Sequence, residues 1–251
     1  KKQNKTLIDV LNELYEKSPA TGRKLKEKTV KNIFLNLQSC CEKAVKLKMI
    51  SFNPCKEVDL KPCKKYEAEV YDREEVEQLI EALKGEEIEL PILVTLFLGL
   101  RRGELLGLQW SDIDFENGLI HVQRTITSDK EGHAILGKHT KTPSGERDIP
   151  INELTEPVLR HAISNMIPNE NNLLFCNKNG SVLTDNSLNS CLKRICKYVG
   201  ISDNAHNHKL RHSFSTNGVV AGIDYKVMEE TMGHSDIRIT MDTYTDVQKN
   251  F

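Results

Sequence analysis

The sequence predicts a mainly α-helical protein with one small antiparallel β-sheet, arranged as a short helical segment, a linker and a larger domain. Three observations point there. Apolar residues recur at three- and four-residue intervals over most of the 251 positions, the spacing of an amphipathic helix. Strict alternation is confined to short runs around 113–122 and 147–150, which is strand spacing. Between about 56 and 69 periodicity gives way to a lysine-rich stretch with Pro62, the composition of a linker.

The elements follow in order. Leu7, Val10, Leu11 and Leu14 define a first helix that ends before Ser18-Pro19. A second runs from about Thr29 to Met49 through Ile33, Leu37, Cys41, Ala44 and Leu47, with Asn53-Pro54 as its stop. Past the linker, Asp72 and Glu75 have capping-box spacing ahead of Val76, Leu79 and Ile80. Helices are expected from about 90 to 98 and from 102 to 107. Ile113, the run 119–122 and Arg147-Asp148-Ile149-Pro150 supply strands, and the turn 142–145 lies before the last of them. From Asn152 the pattern is mainly helical, with loops at 168–171, 177–180 and 202–207. The domain reading is 1–60, a linker at 61–69, and 70–251.

Composition narrows the function classes. Hydrophobic residues make up 38% and charged residues 28%, as in a soluble globular protein. No apolar run approaches the roughly 20 residues that span a bilayer, and the lysine-rich start has no apolar secretory core. No membrane partner is therefore expected. Seven cysteines at irregular spacing, with no CxxC pair, fit a reduced cytoplasmic protein better than a zinc ribbon or a disulfide scaffold. The formal net charge of −1 conceals an asymmetry: residues 1–66 carry 16 Lys/Arg against 7 Asp/Glu. A basic N-terminal third favours a nucleic-acid partner, although a solvated lysine face would look the same.

Three clusters could carry chemistry. Gly99-Leu100-Arg101-Arg102-Gly103-Glu104-Leu105 sets two arginines in an apolar stretch. Such a cation needs a partner: Glu104 or Asp112 on the plain reading, a phosphate held by the guanidinium fork on the sharper one. In His206-Asn207-His208-Lys209-Leu210-Arg211-His212, His208 and His212 have the spacing of a zinc half-site. Lys209, however, stands where a metalloprotease has glutamate, and a cation there repels metal. His208 and Arg211, three apart, suit an anion better. The third cluster, Met232-Gly233-His234-Ser235-Asp236 followed by Tyr244, means little alone. Together the clusters offer cations, imidazoles and a phenol, and no acidic group suited to Mg²⁺ or Ca²⁺. That is the inventory for metal-free phosphoryl transfer: charge stabilisation, a proton donor and an attacking hydroxyl.

At these residues the sequence resembles the tyrosine recombinase (phage integrase) family, particularly integrases of conjugative transposons. The box 99–105 resembles the family's first arginine motif and designates Arg101 rather than Arg102. His208 to His212 resembles its His-x-x-Arg motif, Met232 to Asp236 the following one, and Tyr244, ten residues past His234, the nucleophile. Lys141 matches the family's β-hairpin lysine more loosely, since Lys138 is close by. Residues 29–54 resemble the latter half of the family's core-binding domain, so 1–60 is expected to be a partial helical core-binding (DNA-binding) domain and 70–251 the catalytic domain. That segment is shorter than a complete core-binding domain and only seven residues follow Tyr244; both bear on activity.

The resemblance implies cleavage and rejoining of double-stranded DNA at attachment or transposon-end sites through a 3′-phosphotyrosyl intermediate. Arg101 and Arg211 would clamp the non-bridging oxygens, Lys141 would protonate the leaving oxygen, and His208 and His234 would support the phosphate and the tyrosine. It implies no cofactor and no metal, a tetramer on paired sites, an excisionase-type accessory protein, and a bacterial cytoplasmic setting on DNA. Two competing readings are relaxation of the type IB topoisomerase kind and a catalytically silent DNA-binding regulator.

Overall fold

The computed structural model describes residues 6–63, 69–129, 131, 133–137, 145–201 and 205–233. Two compact units divide the chain, Lys1–Tyr66 and Glu67–Phe251.

In the first unit, α1 (Leu7–Glu16) starts at a reciprocal capping box, with Thr6 and Asp9 each bonding the other's main-chain N–H. Helix α2 (Glu27–Lys46) packs on it, and Leu11, Val30, Phe34 and Cys55 form a small core. Two details differ from the sequence reading. The helix ends short of Met49 because Lys48 takes a left-handed φ of 57°. The Lys48 and Met49 N–H groups then bond back to the Val45 and Ala44 carbonyls, so a Schellman stop acts before Asn53-Pro54 does. The buried stripe is also offset. Val30 and Phe34 face the core, while Ile33 and Leu37, expected there, are 42% and 39% exposed.

The second unit is built around α4 (Glu89–Leu98), which is apolar on every side and buried from Pro91 to Leu96, as expected of a central helix. Helices α6 (Thr155–Ser164) and α8 (Asn207–Val220) pack against it. Helix α3 (Arg73–Leu83), opened by the expected Asp72–Glu75 capping box, lies on α7 (Asp185–Tyr198). The short α5 (Arg102–Gly107) follows α4 after three residues, Gly99 to Arg101, and α9 (Tyr225–Met232) follows α8.

The expected strands β1 (Ile113–Asp114), β2 (Leu119–Val122) and β5 (Arg147–Pro150) form one antiparallel sheet in the order β1-β2-β5, with Ile120 opposite Ile149 and Val122 opposite Arg147. A hairpin of β3 (Ile126–Ser128) and β4 (Ala134–Leu136) adds a second, two-stranded sheet that the sequence reading did not anticipate.

The junction between α4 and α5 positions everything that follows. Gly99 ends α4 with φ 61°. A Cβ built on it would lie 2.3 Å from a ring carbon of Phe214 on α8. Only glycine allows both that turn and that approach, and Arg101 follows two residues later as the N-cap of α5.

Candidate active site

Arg101 is the N-cap of α5. Its main-chain N–H donates to Glu104 Oε2 (2.9 Å) and its Nη1 to Glu104 Oε1 (2.8 Å). The plain reading of this arginine, a pair with Glu104, is thus present; Asp112, the other candidate, is taken by Arg124 at 2.5 Å. The Arg101 side chain nonetheless keeps 39% of its surface exposed. Its Nη2 donates to the Gly233 carbonyl.

Arg211 enters from α8 and is buried. Nη1 donates to Gly99 O (2.5 Å) and Nη2 to Met232 O (2.7 Å). Burial first, then the positive charge of Arg101, brings its pKa down to about 9, and Glu104 opposes that shift. The group stays a cation at neutral pH, held where water stabilises it poorly, so an arriving anion would be strongly attracted.

His208 lies one helical turn before Arg211 and meets the His212 ring edge-on, with centroids 4.4 Å apart. Its outer surface reaches solvent. Crowding of its inner side by protein, then the charges of His212, Arg211, His206 and Arg101, lowers its pKa to about 4. At neutral pH the ring is uncharged, with one nitrogen able to donate and the other to accept. The hydrogen of His212 is also held less firmly than usual, again through burial and then Arg211.

Glu104 is the anionic counterweight. It is 4% exposed and also pairs with Arg147 from β5, whose Nη2 lies 3.0 Å from Oε2. Burial pushes this carboxyl up, but the hydrogen bonds and charges of Arg147 and Arg101 prevail and hold it below the ordinary carboxylate value. Arg147 was read from sequence only as a strand residue. The signal was there, since period two puts it on the same face as Ile149, which is buried.

The fold therefore brings together Arg101, His208 and Arg211, three of the six expected site residues. Lys141, His234 and Tyr244 lie outside the described residues. Among the described residues, one group has metal-ligand geometry, Asp129, Glu131 and His133 at the turn of the β3–β4 hairpin. His208 and His212 are not part of it.

This geometry, two guanidinium groups converging beside a neutral imidazole, meets a matching family. Residues 69–250 fit the description "Phage integrase family". The chain belongs to that family. Among relatives, this integrase-family chain is 29% identical to a tyrosine recombinase XerC-like protein of Caldanaerobacter subterraneus subsp. tengcongensis, over 94% of its own length and 65% of the relative's. It is 30% identical to the transposase from transposon Tn916 of Enterococcus faecalis, over 61% of this chain and 40% of that protein. The chain thus spans about two thirds or less of the length of these two curated relatives. In fold it matches the Tn1549 transposon integrase in complex with a circular intermediate DNA, with a TM-score of 0.82, 24% identity and coverage of 98% of this chain and 84% of that one. It also matches the XerH site-specific recombinase bound to a palindromic difH substrate, with a TM-score of 0.69, 22% identity and coverage of 99% and 71%. No helix among the described residues is long and apolar enough to cross a membrane.

Proposed function

We propose that this integrase-family chain cuts and rejoins double-stranded DNA, with Tyr244 as nucleophile. The observation that carries the reading is the convergence of Arg101 and Arg211. They arrive from α5 and α8, and each donates to a carbonyl of Met232-Gly233, the two residues before His234. A phosphodiester placed against the exposed side chain of Arg101 would meet two cations at its non-bridging oxygens. Charge that grows there during attack is stabilised by donors already in position.

The phenol oxygen of Tyr244 forms a bond to phosphorus while the bond to the 5′-oxygen breaks. The phenol proton leaves toward His234 or water, and Lys141 delivers a proton to the departing oxygen. A 3′-phosphotyrosyl link and a free 5′-hydroxyl result, and attack by another 5′-hydroxyl reverses the step on a new strand. Neutral His208, beside Arg211, donates a hydrogen bond to the phosphate without adding charge. The basic segment 1–60 contacts the DNA backbone, residues 61–69 act as linker, and 70–251 is the catalytic domain. The working assembly is a tetramer on two attachment or transposon-end sites in the bacterial cytoplasm, joined by an excisionase-type protein for excision.

Relatives named as tyrosine recombinase and transposase support strand exchange over simple relaxation. A nicked suicide substrate tests the reading, because loss of the short fragment traps the covalent intermediate. The wild-type chain should give a denaturation-resistant protein–DNA adduct and Tyr244→Phe none; an adduct that survives in Tyr244→Phe rules the assignment out.

A further inference from the structure

Helix α9 ends beside the residues that carry the chemistry. Its last main-chain carbonyls have no partner within the helix, as at any helix C-terminus. Here three consecutive ones are met by three arginines from three different elements. Arg147 Nε on β5 donates to Thr231 O at 2.7 Å. Arg211 on α8 takes Met232 O, and Arg101 at α5 takes Gly233 O. Positive groups at the negative end of a helix dipole are favourable, and the arrangement is built rather than incidental, since Arg147 and Glu104 are 9% and 4% exposed.

Arg147 alone among the three holds both oxygens of Glu104 through its terminal nitrogens. Nη1 and Nη2 lie 3.2 and 3.0 Å from the two oxygens of Glu104, and Nη1 also meets Gly145 O at 3.1 Å. The oxygens it holds are the same two that hold the Arg101 side chain and main chain. Arg147 therefore ties together the orientation of Arg101, the end of α9 just before His234, and the strand that emerges from the 138–144 segment containing Lys141.

We propose that Arg147 is a positioning residue for DNA cleavage: through Glu104 it aims the Arg101 fork at the scissile phosphate, and through Thr231 it sets where the His234–Tyr244 segment begins. The inference rests on the reading of Arg101 and Tyr244 above. It makes no demand on DNA affinity, because Arg147 is inside the protein with every nitrogen engaged. Lysine in its place keeps the charge but offers a point donor that cannot span both carboxylate oxygens and Thr231 O at once.

The test is single-turnover cleavage of a saturating suicide duplex by the full chain. Arg147→Lys should melt cooperatively and bind DNA within about twofold of wild type, yet form the adduct about 100-fold more slowly, the scale of loss that follows an ångström-level misplacement. A second substrate carries a methylphosphonate at the scissile position, which removes the oxygen charge that a well-aimed Arg101 neutralises. On it the defect should shrink to about tenfold or less. A variant that only loosened the fold would be equally slow on both substrates. Should Arg147→Lys fail to fold, the neutral pair Glu104→Gln/Arg147→Gln leaves no unpaired ion at those two positions and should cleave slowly with the same substrate dependence. Wild-type cleavage by either variant, or an equal defect on both substrates, overturns the inference while leaving the Tyr244 assignment standing. No adduct with the wild-type chain overturns both.

Discussion

Glu104→Gln is the substitution whose consequence follows most directly from the structure. The side chain keeps its shape and loses its charge in a site only 4% exposed, between Arg101 and Arg147. Glutamine can accept from the arginines through one oxygen alone, and its amide N–H₂ points at a guanidinium. The Arg147 side chain, 9% exposed, is left as an inadequately paired buried cation. Removing one member of a buried ion pair costs about 3–5 kcal/mol, a large share of a domain stability of about 5–15 kcal/mol. Urea unfolding followed by the fluorescence of Trp110, the one tryptophan, reads this as a lower midpoint at unchanged slope. The acid limb of stability should change as well. Glu104 binds its proton less readily folded than unfolded. Its contribution is therefore complete above the ordinary carboxylate pKa and fades as the pH falls below it. Wild type should lose this increment on acidification and Glu104→Gln should have none to lose. A midpoint shift worth less than about 1 kcal/mol, the size of an exposed pair, would refute the argument that Glu104 anchors the site.

Further expectations concern backbone, histidines and DNA. Gly99→Ala should destabilise the larger unit by about 2–4 kcal/mol, combining a left-handed φ of 61° with a Cβ driven into Phe214; calorimetry showing an unchanged melting temperature would remove the reason given for glycine there. His208 and His212 both have lowered pKa values, so the unfolded chain takes up their protons first. Melting temperature should fall as pH drops from about 6.5 toward 4, and His208→Gln should flatten that fall. DNA affinity should decline steeply with salt, and neutralising exposed Lys24 and Lys26 should reduce the log–log slope by about 1–2; an unchanged slope would take the backbone contact away from this segment.

Much of the fold was legible because it rests on periodicity. Helix α4 is a run apolar on all sides, α3 carries its capping box in plain view, and β1, β2 and β5 show in short alternating runs. Where two signals coexist in one segment, periodicity does not choose between them. Helix α2 has apolar residues on two faces, so Ile33 and Leu37 looked as good as Val30 and Phe34. Its end is set by Lys48 in a left-handed conformation that few would assign to lysine. The β3–β4 hairpin is three residues a side, with Ile135 exposed, too brief for alternation to show. In the site, His208 and Arg211 stood out by residue type and spacing, whereas Arg101 was singled out from Arg102 by the resemblance to the family's first arginine motif. The carbonyl cap on α9 did not, because main-chain oxygens leave no mark in a sequence and their partners come from positions 101, 147 and 211.

Guanidinium groups gathered from α5 and α8 prepare one phenol, on this proposal, to capture a DNA phosphorus. Peptide mapping of the trapped adduct by mass spectrometry tests it most directly. A nucleotide remnant is expected on Tyr244, formed by wild type and diminished by several orders of magnitude in Arg101→Ala and Arg211→Ala alike. A remnant on any other side chain, or full yield after either arginine is removed, would contradict it.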